Sequence, residues 1–120
     1  MEEKKEAWAT DTDAALAAKD FLKKGTNEGV LKAVGVLKRA RLMFMTSIRI
    51  HENLAAALKQ LETPPWGEVV AVLIQAYLLS LLEPNNLAVS AELCKSLAVA
   101  CEKAGDAYGK DHWDAKAKQS

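Results

Sequence analysis

The sequence predicts an all-α fold: an antiparallel bundle of four helices, or five if its long second segment is broken, around a central apolar helix at about 68–83. Three observations carry this. Residues 69–82 run VVAVLIQAYLLSLL, with Gln75 and Ser80 as the only firmly polar side chains. Ala is frequent while the 120 residues hold only six Gly and three Pro, a composition of helical domains rather than β-sandwiches. Period-2 alternation with β-branched residues is missing, so no segment reads as a strand.

The apolar stretch is too short to cross a bilayer, which takes about 20 apolar residues in a helix. It is bounded by the turn makers Pro64, Pro65 and Pro84. It therefore reads as a core helix of about 21 Å. A helix apolar all round is expected to be covered all round, by three or more neighbours or by fewer plus a second subunit. Self-association follows as an expectation, a homodimer being its simplest form. Gln75 is expected to be buried and paired, within the bundle or across a twofold axis, because an unpaired buried amide costs about 1–3 kcal/mol.

The first helix is expected to start near Thr10 to Asp13, where side-chain oxygens can accept from free backbone amides, and to end before Gly25. Its apolar residues, Ala14, Ala15, Leu16, Ala18, Phe21 and Leu22, form a stripe of mostly small side chains. The second opens at Thr26 or Asn27 and runs in helical pattern to about Glu62. That is about 50 Å of helix, well above the usual length, so a break is expected at Thr46 or Ser47 if anywhere. Projection at about 100° per residue puts Val36, Ala40, Met43, Phe44, Ile48, Ile50, His51, Leu54, Leu58 and Leu61 inward. The fourth helix spans about 87–104, with Leu87, Ala91, Cys94, Leu97, Ala98, Cys101 and Ala104 inward and Gly105 as its stop. Residues 1–9 and 106–120 read as charged tails that Trp8, Tyr108 and Trp113 could pin. The whole chain reads as a single domain.

EPNN at 83–86, followed by Leu97, Ala98, Cys101 and Gly105, resembles the turn and following helix of a tetratricopeptide repeat. The likeness covers about a quarter of the chain. The helix is about a turn longer than that repeat has and no second copy exists, so the resemblance brings no partner groove with it.

Sixteen basic residues balance sixteen acidic ones, and a pI near 6.7 argues against nucleic acid as the main partner. The opening MEEKKEAW lacks the apolar run of a secretory signal, and no segment reads as a membrane span, so a cytoplasmic protein is expected. Cys94 and Cys101 stand seven residues apart on one helix, about 10.5 Å along its axis. A disulfide needs Cα atoms within about 7 Å, so two reduced, packed thiols are expected.

No catalytic motif, metal site or cofactor site is expected. His51 is followed by Glu52, Asn53, Leu54 and Ala55, not by the Lys and small residue that follow the histidine of relay phosphotransfer domains, so it reads as a structural or interface residue. Asp106, Asp111, His112 and Asp114 lack the spacing of a calcium loop. Gly25, Gly29 and Gly35 match no phosphate fingerprint and read as a helix end and close packing.

The functional clue is the outer side of the second helix, where Leu31, Val34, Leu42 and Met45 interleave with Lys38, Arg41 and Arg49. Apolar side chains on a face that should be polar call for a cover, and interfaces favour Met and Arg. The expected function is a non-catalytic protein–protein interaction module: an adaptor, a small subunit of an assembly or a helical chaperone. Lys38, Arg41, Leu42, Met45, Arg49 and Gln75 are its candidate interface. The rival expectation is an apolar ligand or cofactor held between the helices by Trp66, Tyr77, Phe44, His51 and the thiols.

Overall fold

The computed structural model describes residues 8–83 and 87–119, Leu87 by its backbone alone. Within them the chain is all-helical: α1 (Asp11–Leu22), α2 (Asn27–Met43), α3 (Ile48–Lys59), α4 (Trp66–Ser80), α5 (Leu87–Lys103) and α6 (Ala107–Lys118). Six helices stand where four or five were expected, for two reasons. The long second segment is broken, and the charged tail is helical.

The break occupies 44–47. Phe44 leaves helical geometry at φ −124° and ψ 64°. Ser47 then starts α3: its Oγ accepts from the Ile50 N–H at 3.2 Å and donates to Asp11 Oδ2 at 2.6 Å. One hydroxyl thus caps the new helix and ties it to the start of α1, 36 residues away.

In α6, Asp106 Oδ1 accepts from the Gly109 N–H at 2.9 Å, and Lys110 pairs with Asp114 at 2.9 Å. Trp113 reaches Tyr77 of α4 edge-on, with ring centroids 5.1 Å apart. Tyr108, the other expected anchor, is 90% exposed. The remaining boundaries lie close to the sequence reading. Thr10 forms a reciprocal capping box with Asp13, Thr26 caps α2, and Gly105 ends α5 at φ +81°. Residues 84–86, most of the repeat-like turn, lie outside the described residues.

Each helix packs on its neighbours in chain order, and α1 also packs on α3. The small buried side chains Ala14, Ala15 and Ala18 let α1 lie close on this layer. Leu37, Ile50, Leu54, Leu58, Val69, Val72 and Leu97 carry the core through α2, α3, α4 and α5. Between α4 and α5 the Ser80 hydroxyl reaches the Tyr77 carbonyl at 2.6 Å and shares a hydrogen bond with the buried Ser90 hydroxyl, 2.7 Å away. The assembly measures 51 × 34 × 22 Å, an open array whose two end helices, α1 and α6, do not meet.

The structure corrects several expectations. Among the described residues α4 packs along α3 and α5, with Trp113 of α6 touching Tyr77, so Ala71, Gln75 and Leu78 face solvent although nearly all of the helix is apolar. Gln75 is accordingly exposed rather than buried and paired. Met43 is exposed and Val34 buried, the reverse of the projection, because one face was assumed for the whole 27–62 stretch whereas α2 packs on both α1 and α3 and buries Val30, Val34 and Leu37 between them. On α5, Cys94, Leu97, Ala98 and Cys101 are buried as expected, while Ala104 is exposed.

Two glycines of α2 separate close packing from mere tolerance. A Cβ at the buried Gly29 would run into the carbonyl oxygen of Phe21, whereas one at Gly35 would meet only Arg39 Nη1 at 3.5 Å. In urea titrations, Gly29→Ala is expected to lower stability by about 1–3 kcal/mol through overpacking. Gly35→Ala is expected to raise it by about 0.5–1 kcal/mol through helix propensity. Equal effects would contradict the close α1–α2 approach.

Candidate functional site

Both α2 and α4 pack on α3 but not on each other, which leaves a groove between them. Lys38 Nζ meets Glu68 Oε2 across it at 3.2 Å. Seven residues further along each wall, Met45 and Gln75 line one cavity of about 290 Å³ with Arg41, Leu42 and Ala71. The walls therefore run in the same direction. His51 of α3 also lines this cavity, and Arg41 and Leu42 extend it into an adjoining one of about 260 Å³ that reaches Lys38 and Glu68. Leu42 is 75% and Met45 64% exposed, and Leu78, one turn past Gln75, is also exposed.

The polar groups of the groove are unequal. His51 is 2% exposed, and its Nδ1 lies 2.8 Å from the Ser47 carbonyl oxygen. A carbonyl can only accept, so Nδ1 carries the proton and Nε2 is left as an acceptor. No protein donor among the described residues reaches Nε2, and no fully buried side-chain nitrogen or oxygen among them lacks a partner, so Nε2 opens to the groove. Burial pushes the His51 pKa below its ordinary value; the Ser47 hydrogen bond opposes this and the Arg41 charge adds to it.

Arg41 is partly buried and has no carboxylate or hydrogen-bond acceptor among the described residues. The nearby Glu68 is held by Lys38.

Of the six candidate interface residues, Lys38, Arg41, Leu42, Met45 and Gln75 surround this groove. Arg49 lies elsewhere, lining a cavity of about 370 Å³ with Ser47, Leu79 and Glu83. Sequence reasoning missed Glu68 and Ala71 as groove residues, and it read His51 as a structural or interface residue without placing it beside the other candidates. The spacing 68, 71, 75, 78 is one helical stripe and could have marked the α4 wall.

The other constellations do not converge. Asp106 caps α6, Asp114 holds Lys110 and His112 rests edge-on against Trp113 at 4.8 Å. Among the described residues no group of three or more His, Cys, Asp and Glu is placed to hold a metal. Cys94 and Cys101 are free and buried; burial raises both thiol pKa values, with Asp106 adding at Cys101 and Lys116 opposing at Cys94. Both therefore stay protonated and weakly nucleophilic near neutrality. Phe44, Trp66 and Tyr77 pack against the core, and of the rival ligand set His51 alone faces the groove. No helix of the described residues is long and apolar enough to cross a membrane.

The lowered His51 pKa gives stability a sign with pH. The folded ring resists protonation while the unfolded ring titrates near 6.5, so the unfolded chain binds more protons as pH falls through that region. Stability should fall from about pH 7.5 to about pH 5, and His51→Gln should flatten part of that slope in urea midpoints. An unchanged slope in the variant would contradict a neutral buried ring.

Comparison with protein-family models, with curated proteins and with solved structures returned no match to this chain.

Proposed function

We propose that the chain is a non-catalytic docking module, an adaptor, small structural subunit of an assembly or helical chaperone, that takes a protein through the groove between α2 and α4. The observation that carries this reading is the lining of the groove. Leu42 and Met45 lie open to solvent beside a partly buried Arg41 that has no carboxylate among the described residues. Exposed apolar side chains in a concave site mark interaction surfaces, and Met and Arg are enriched in them.

Catalysis is a poorer fit to the same groove. Its one titratable ring is tied to a backbone carbonyl, and neither a nucleophile nor a carboxylate pair lines the cavity with it. A nucleic acid is also a poorer fit, since the Lys38 charge is met by Glu68, the chain is neutral overall and no aromatic lines the cavity. A small apolar ligand would have about 290 Å³ with a guanidinium in its lining, at the lower bound of ligand pockets, which hold about 300–1,000 Å³.

The test is a paired substitution, Leu42→Asp with Met45→Asp. Both side chains are exposed, so the thermal unfolding curve should be little changed. Affinity capture from the native host, quantified by mass spectrometry, should lose its specific partners with the variant. The same partners at the same yield would overturn the reading.

A further inference from the structure

We infer that the occupant of the α2/α4 groove is an amphipathic helix of a partner protein that sets a carboxylate against Arg41. This rests on the docking reading above and names the partner's chemistry. Shape is the first argument. Two walls that run the same way and both pack on α3, bridged at one end by the Lys38–Glu68 ion pair, form a trough, and its α2 wall runs from Lys38 to the helix end at Met43, about 7.5 Å, with Met45 just beyond. A helix laid there would present apolar residues at i, i+3 or i+4, and i+7 to Leu42, Met45 and Ala71.

Charge is the second argument. Arg41 sits where the two cavities join, partly buried and without a carboxylate among the described residues, while Lys38 and Glu68 answer each other at the far end. One acid at the centre of the incoming helix completes the site, because a guanidinium fork takes a carboxylate through two parallel hydrogen bonds. His51 Nε2 and the Gln75 amide stand beside it to receive polar groups of the same helix.

A second copy of this chain suits the groove less well. Among the described side chains outside the groove walls and their continuations, α1, α5 and α6 each expose a single large apolar one, Leu16, Val99 and Tyr108, so none of them shows the required apolar row. A twofold axis through the groove would also set Arg41 against its own copy.

Selection from a display library of helical 18-residue peptides against the full chain (a length of about 27 Å) tests this, with the selected peptides then titrated by fluorescence anisotropy. The expected pool carries Asp or Glu at a fixed offset within an apolar i, i+3/i+4, i+7 row. Arg41→Gln should weaken it about tenfold, and replacing the peptide acid by its amide should add little further loss in that variant. Thermal unfolding of Arg41→Gln checks that the fold is retained. Peptides that lose binding on Leu42→Asp/Met45→Asp but carry no acid, or ignore Arg41→Gln, overturn this inference and leave the docking reading standing. A pool indifferent to both variants overturns the two together. Sedimentation as a dimer that Leu42→Asp/Met45→Asp dissociates assigns the groove to a second copy and overturns the inference alone.

Discussion

The architecture hangs on Ser47. Its Oγ caps α3 and reaches back to Asp11 of α1, and its carbonyl accepts both the His51 ring and, more weakly, the His51 N–H at 3.4 Å. These bonds hold the chain in a reversal where an unbroken helix would have run about 50 Å. Because the chain turns there, α2 folds onto α3, α4 packs on α3 as well, and the two flanking helices become walls of one trough. The ring fixed by Ser47 lies in that trough. Local capping chemistry therefore decides where the concave surface sits.

The trough also exposes an unresolved tension in α4. Its sequence has almost no polar side, yet among the described residues the open array supplies α3 and α5 alone as helices packed along it, with Trp113 shielding part of Tyr77. Ala71, Gln75 and Leu78 are left facing water, and Leu81 and Leu82 continue the apolar surface past the helix end. A closed bundle would have covered this stripe. Leaving it bare costs solubility, and a partner that covers it removes the cost.

Much of the fold was legible because local chemistry and periodicity agreed. Thr10, Thr26, Ser47 and Gly105 mark helix ends by capping or by left-handed geometry, and the buried positions of α5 follow a 3.6-residue period. The helix count was harder to read. The 106–120 segment lacks an apolar stripe, and α6 is held by packing along α5 and by the Trp113 contact with Tyr77, both made across space, while the Asp106 cap and the Lys110–Asp114 pair support the helix locally. Gln75 was misread because a sequence shows how apolar a helix is but not how many neighbours will cover it. For the candidate site, Leu42, Met45, Lys38 and Arg41 were visible as an odd face of α2. The inward side of His51 and the 68, 71, 75, 78 stripe were each legible locally, but their meeting with the α2 face in one groove depends on tertiary packing.

Photo-crosslinking tests the central claim most directly. A benzophenone amino acid placed at Met45, within the groove, is compared with one at Tyr108, exposed on α6 and away from it. In the native host the groove position should give one discrete adduct, mapping to a helical segment of a partner protein, and the α6 position should not give it. Equal adducts from both positions, or none from Met45 while the chain is folded and abundant, would contradict a docking groove between α2 and α4.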